Sequence, residues 1–335
     1  MRLCSGSRHP SKKRGNKLKG GSNKKHKKNN TQKIISRNKN HCSPFSRKNK
    51  IVPGSCFTKD AIQIITHAHN RNDPTHNIPE NLSPKDKWTE LSKKMSRIPQ
   101  CDQDKCWLKH IPLKDQEKNM LQAQLFVPPK PREWSKFPNT WLTNFDIEKV
   151  LNQYEKSHPS FRFIGPSPID YDTKTNKTNC VCNNLCNFSI AENLKKGKTK
   201  IGIVFNLDPH NKGGSHWVAM FIDLEDKFVF YFNSTGEHIQ PLLRKFKDTV
   251  VSQGIDLFGK MDYHVNKYEH QKSNTECGMY CLYFIITCLL REPDIFLDNT
   301  NNDRGKIDSA QLVEHFTKGR IKDELVETYR GDLFL

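Results

Sequence analysis

Acidic residues are missing from the first fifty positions, which hold 17 Lys and Arg and no Asp or Glu. The formal charge of the 335-residue chain is +19, yet the other 285 residues carry 38 basic against 36 acidic side chains. That split excludes a uniformly basic nucleic-acid-binding body and assigns the basicity to a tail. Long apolar runs are missing as well. The longest, Gly278 to Leu290, has 13 residues, against the ~20 of a membrane-spanning helix, so no membrane partner is expected. The opening MRLCSGSRHPSKKRG lacks the apolar stretch of a secretory signal. A regular cysteine framework is also absent. The 11 cysteines are odd in number and unevenly spaced, and without a signal they are expected to be reduced thiols.

What is present divides the chain into three. Residues 1–59 repeat Lys, Asn, Ser and Gly, with too few apolar groups to offset the entropy of ordering, and are expected to be a disordered basic tail. Such a tail can hold nucleic acid without sequence preference by releasing counterions, or can simply be solvated. Residues 60–135 form a helical arm, with DAIQIITHAH and SPKDKWTELSKKM as amphipathic helices, Ser83 as a cap of the second, and the Pro-rich VPPKPREW as a boundary. Residues 136–335 read as a mixed α/β (α+β) core. TNFDIEKVLNQYEKS places Phe145, Ile147, Val150, Leu151 and Tyr154 on one helical face. IGIVFNL, HWVAMFID and KFVFYFN alternate as strands, with Glu225 and Asp226 in a turn between the last two. IQPLLRKFKDTVVSQG is a helix that Gly254 can end, MDYHVNKYEHQ a short strand, and 308–329 a final amphipathic helix. CGMYCLYFIITCLLRE is apolar on all sides, which predicts a central buried helix inside a mixed sheet.

The chemistry-bearing residues stand at the ends of these elements. His216 opens a strand after NKGGS, Asn233 closes the next one, Gln271 lies in a loop, and Cys277 begins the buried helix. A cysteine at a helix N-terminus beside a histidine is a nucleophile with its base, and the helix end together with a protonated imidazole favours a lowered thiol pKa. Asn233 would orient the imidazole, while Gln271 and the Cys277 N–H would hold an oxyanion. Gly278 leaves room for a substrate backbone. Each residue alone has a plainer reading. Cysteine in so apolar a helix is ordinarily a small buried hydrophobe, as Cys281 and Cys288 are, and His264 or His270 compete for the base.

With these residues in this order, the segment GSHWVAMFID…FYFNSTG…HQKSNTECGMYCLYF resembles the adenain and Ulp-type cysteine peptidases, whose chain order is His, Asp/Asn/Glu, Gln, Cys. FIGPSPIDYD, IGIVFNLDPHNKGGSHW and DELVETYRGDLF are similar to the thiol proteases of nucleocytoplasmic large DNA viruses. The resemblance covers about 136–335. It implies a cysteine endopeptidase needing no cofactor or metal, which cuts after Gly-Gly in viral structural polyproteins during virion maturation. It further implies a slot for small residues under Trp217, with Trp141 of WLTNF as a second wall. Asn144 stands where that pattern has aspartate. The virion and the cytoplasmic viral factory of the host are the implied locations.

Other readings stay open. The same four residues serve a deSUMOylase or deubiquitinase acting on host conjugates, and a basic virion nucleic-acid-binding protein on a protease scaffold is a reading of another class. Lys19-Gly20-Gly21-Ser22 invites self-cleavage after Gly21, although Gly213-Gly214 shows that such pairs arise by chance. Cys180, Cys182 and Cys186, with Cys101 and Cys106 upstream, are close enough in sequence for zinc, but no fourth ligand is evident, and free thiols are expected.

Overall fold

A computed structural model describes residues 41–101, 103–292 and 306–335. The chain opens with helices α1 (Pro44–Asn49), α2 (Lys59–Asn72), α3 (Pro84–Met95), α4 (Asp104–His110) and α5 (Asp115–Leu125). Ser83 caps α3 by accepting from the Asp86 N–H, as its spacing predicts. These helices bury Phe57, Ile62, Ile65, Leu91, Trp107, Leu121 and Phe126 in a core of their own.

The tail boundary at residue 59 needs correction. Residues 41–59 are part of the helical arm, not of a disordered tail. Cys42, Cys56 and Phe57 are buried, and the Asp104 carboxylate accepts from Ser55 Oγ (2.6 Å) and the Cys56 N–H (2.5 Å). Few but well-placed apolar groups and one buried carboxylate suffice to order this stretch. The basic segment 1–40, with its nucleic-acid and self-cleavage readings, lies outside the described residues.

The arm is tied to the rest of the chain by polar contacts. Arg47 donates to the Tyr154 hydroxyl (3.1 Å) and Gln153 to the Phe126 carbonyl (2.8 Å). Lys130 N–H reaches the Leu335 carbonyl, and Leu335 N–H the Pro128 carbonyl.

Beyond the arm come α6 (Asn144–Ser157), β1 (Phe161–Pro168), α7 (Asn183–Cys186), α8 (Ile190–Lys195), β2 (Lys200–Asn206), β3 (Trp217–Asp223) and β4 (Phe228–Phe232). Then follow α9 (Pro241–Phe258), β5 (Asp262–Val265), α10 (Cys277–Leu290), α11 (Ser309–Thr317) and α12 (Asp323–Leu333). The five strands form one sheet in the order β1-β2-β3-β4-β5. The outer pairs are parallel and the inner ones antiparallel. Side-chain alternation sends Ala219, Phe221, Phe228, Phe230 and Phe232 toward α10, while Val218, Met220, Ile222, Val229 and Tyr231 face α9.

Helix α10 is buried from Cys277 to Leu289, the central helix that its apolar run predicts. Phe284 stacks on Phe232 with centroids 4.8 Å apart. Gly202 permits the close approach, because a Cβ there would sit 2.9 Å from Ile285 Cγ2.

Two helix ends differ from expectation. Helix α9 runs through Gly254, where a side chain would strike Met261, and ends at Gly259 with φ +75°. The terminal helix is two, parted near Gly319 with φ +94°. No helix among the described residues is long and apolar enough to cross a membrane.

The cysteines depart further from the sequence reading. Disulfides join Cys42–Cys56, Cys101–Cys106 and Cys180–Cys186, where reduced thiols were expected. The chain's turns carry these cysteines back to one another across 14, 5 and 6 residues. Cys277, Cys281 and Cys288 are free thiols.

Candidate active site

The sheet register sets the first half of the site. Pairing of Asn206 with Trp217 places His216 just outside β3, and its carbonyl accepts from the Leu207 N–H. Gly214, at φ +88°, passes so close to the Asn206 amide that a Cβ would lie 2.8 Å from it. Asn206 Oδ1 in turn accepts from the Asp208 and Ser215 N–H groups, holding the loop before His216.

Asn233 follows β4 directly. Asn266 bonds both its N–H and its carbonyl at 2.8 Å, so the backbone at 233 cannot rotate freely. The side-chain oxygen of Asn233 accepts from the Thr235 N–H (3.1 Å) and hydroxyl (2.9 Å). Because a backbone N–H is always a donor, that atom is the oxygen. His216 Nε2, 2.8 Å from it, must therefore donate. The proton is fixed on Nε2, and Nδ1 keeps its lone pair. Burial lowers the His216 pKa, against smaller raising effects of Asn233 and Glu237, so the ring is held neutral and able to act as a base.

The second half lies on α10 and the loop before it. Cys277 is 2% exposed. The backbone N–H groups of Trp217, one residue from His216, of Gly278 and of Cys277 itself favour a thiolate at its sulfur. Burial nevertheless raises the thiol pKa, these N–H groups lower it, and Glu276 raises it again. The low-pKa thiolate expected of a helix N-terminus is therefore not the resting form; desolvation outweighs the helix end. The proton stays on sulfur until a base takes it.

Gln271 is oriented by two contacts. Ser234 Oγ donates to Oε1 (2.7 Å), and Nε2 donates to the Ser273 carbonyl (2.7 Å). One Nε2 hydrogen is left over. Asp323 of α12 receives the Lys272 and Ser273 N–H groups and the Tyr280 hydroxyl, which anchors this loop.

Trp141 is 42% exposed and donates to the Asn274 carbonyl (2.5 Å). Trp217 is 8% exposed and donates to the Leu142 carbonyl (3.0 Å). Leu142, which sequence reasoning missed, links the two indoles to the nucleophile's turn. Its Cβ lies 3.0 Å from where a Gly278 side chain would stand. The space at Gly278 is thus filled by Leu142, not left open for a substrate backbone as expected. Asn144 is the first residue of α6, whose capping box is built by Thr143 and Asp146. Asn266, Ser234, Asp323 and the Glu276–Arg330 pair were likewise missed, since nothing in their spacing announces contact.

The rival histidines are placed elsewhere. His270 is wholly buried between the Phe316 carbonyl and the Ile321 N–H, and His264 lies on β5 against Phe228 and Phe230. Among the described residues, Cys101, Cys106 and His110 bring ligand atoms within 4.8 Å of one another, but the two sulfurs are bonded together and so spent as metal ligands. Cys180 and Cys186 are joined in the same way.

Comparison with known proteins identifies the family. The chain is 35% identical over 158 residues to "Putative thiol protease R355" of Acanthamoeba polyphaga mimivirus, which covers 46% of this chain and 49% of that protein. It thus spans about half the length of that relative. With the SUMO-1 cysteine protease S273R of African swine fever virus it shares 28% identity over 252 residues, 70% of this chain and 83% of the other. The crystal structure of the African swine fever virus pS273R protease superposes with a TM-score of 0.58 at 22% identity, covering 91% of this chain and 98% of that one. The C-terminal catalytic domain of the Ulp1 protease family matches residues 114–318, and with well over half of its length so matched the chain belongs to the Ulp1 family of cysteine proteases.

Proposed function

We propose that this protein is a cysteine endopeptidase that cuts after Gly-Gly in viral structural polyproteins during particle maturation. Cys277 is the nucleophile, His216 the base and acid, Asn233 its orienting partner and Gln271 the oxyanion donor. The observation that carries the assignment is the His216–Asn233 hydrogen bond (2.8 Å), which leaves Nδ1 of the imidazole as the proton acceptor.

In the reaction, Nδ1 takes the Cys277 proton as sulfur attacks the scissile carbonyl. The oxyanion is held by the Cys277 N–H and the remaining Gln271 Nε2 hydrogen. The imidazolium then protonates the departing amine. A thioester remains, and water activated by His216 hydrolyses it to restore the thiol. Trp141, Leu142 and Trp217 crowd the first turn of α10, a wall that favours glycine on the acyl side.

The maturation substrate is supported by the relatives in large DNA viruses, and the basic residues of the tail supply the charge to keep the enzyme with nucleic acid in the assembling virion or the host cytoplasm. The second reading, removal of SUMO or ubiquitin from conjugates, is favoured by the African swine fever virus relative, a SUMO-1 cysteine protease.

The test is cleavage of Gly-Gly-X peptides, a SUMO fusion and a ubiquitin fusion by wild type and Cys277→Ala under reducing conditions. Peptide cleavage lost in the variant is the expected result. Cleavage of the folded modifiers alone selects the second reading, and turnover retained by Cys277→Ala overturns both.

A further inference from the structure

Glu276, the residue before the candidate nucleophile, has a side chain with no solvent exposure. Its carboxylate is gripped from α12: Arg330 Nη2 lies 2.8 Å from Oε1 and Nε 2.9 Å from Oε2. Thr275 Oγ1 adds a third bond (2.9 Å). Arg330 is 6% exposed and has further anchors. Its Nη1 donates to the Thr140 carbonyl (3.1 Å), beside Trp141 and Leu142, and its guanidinium lies over the Trp134 ring at 4.5 Å. One side chain therefore fixes both the turn carrying Cys277 and the strip carrying the indole wall.

A buried ion pair is a poor way to gain stability, because desolvation offsets most of its attraction. Its value at this place is local. A bare carboxylate next to Cys277 would oppose formation of a thiolate, and a planar bidentate partner both cancels that charge and fixes the carboxylate's direction.

We propose that Arg330, acting through Glu276, is a positioning residue for Cys277, setting the first turn of α10 and balancing the charge beside the sulfur. The proposal rests on Cys277 being the nucleophile. The other charged groups facing the pair are Asp323 and Glu327 on α12, and Arg320 compensates the first of these at 2.7 Å. Glu276 is the charged group that acts on the thiol directly, while burial holds the imidazole of His216 neutral.

The test is the pH dependence of Cys277 alkylation by iodoacetamide, read by mass spectrometry of the modified peptide, alongside kcat and KM. Glu276→Gln leaves Arg330 seated by Thr140 and Trp134 with an unbalanced positive charge, so the alkylation midpoint moves down by about one pH unit. Arg330→Met leaves the carboxylate unbalanced, so the midpoint moves up by about as much and kcat falls about tenfold, with KM within about twofold. The double variant returns to the wild-type midpoint.

Shifts of opposite sign are what a merely structural pair would not give. Shifts of one sign, or none, overturn the proposal. Should Arg330→Met fail to fold, a folded Glu276→Gln without the downward shift overturns it alone. Hydrolysis retained by Cys277→Ala sinks the assignment of the nucleophile instead, and alkylation reads the pair independently of that result.

Discussion

The two halves of the candidate site are held by different means. The His216–Asn233 half is assembled within one stretch of sheet: a hairpin register brings residues 17 apart in sequence into contact, and the nearest support, Asn266, follows the adjoining strand. The Cys277–Gln271 half is assembled from afar. Asp323 and Arg330 reach it across about fifty residues, and Trp141 across 133. A base built on paired strands inherits its geometry from backbone hydrogen bonds. A nucleophile built on a helix end and a loop needs side chains from other elements to hold it still.

The strongest way to break the comparison is to remove one member of each half and watch two observables. His216→Gln deletes the proton acceptor and should lower kcat/KM by about 10²–10⁴, with slower alkylation of Cys277 near neutral pH. Gln271→Ala should cost about 10²–10³ in kcat, while the alkylation profile stays where it was, since the amide acts only on the oxyanion. An alkylation shift in Gln271→Ala would show that the halves are not separate.

Legibility follows the same division. The strand-turn-strand run from 200 to 232 was readable because alternation and burial are local properties, and His216 and Asn233 fell at its element ends, as Cys277 fell at the start of the apolar helix. β1 was not readable: FRFIGPSP contains Gly165 and Pro166 and becomes a strand by pairing in parallel with β2, 39 residues on. The same holds for residues 41–59, ordered by an aspartate at 104. Leu142 could not be connected to Gly278, nor Arg330 to Glu276, because contact across the core leaves no periodic trace in either segment.

Acid should strike the nucleophile half first. Burial pushes the pKa of His270, the neighbour of Gln271, down to about 4, and its Nδ1 accepts from the Ile321 N–H while Nε2 faces the Phe316 carbonyl. A second proton would cost the Nδ1 contact. Between about 4 and 6.5 the unfolded chain binds the proton and the folded one does not, so this stabilisation is complete above the unfolded pKa and is lost as pH falls, by about 3 kcal/mol in all. Urea unfolding at a series of pH values should show that slope. A His270→Gln variant, less stable throughout, should lack it. An unchanged slope would mean that the loss resides in other groups, with His216, lowered in the same direction, the next to examine.

The smallest effect gives the sharpest view of how the halves touch. Ser234 follows Asn233 and belongs by sequence to the base half, yet its hydroxyl orients Gln271, and its carbonyl accepts the His270 and Gln271 N–H groups at 2.9 Å. Ser234→Ala removes the side-chain bond and keeps both backbone ones, so the loop stays in place and only the amide is freed to turn. Loss of one neutral hydrogen bond is worth about 1 kcal/mol, which corresponds to about a fivefold fall in kcat with KM unchanged. In a Gln271→Ala background the same substitution should do nothing further, because the group it orients is gone. If the two losses instead multiply, Ser234 acts through Asn233 and the imidazole, and the alkylation profile of the single variant will have moved with it.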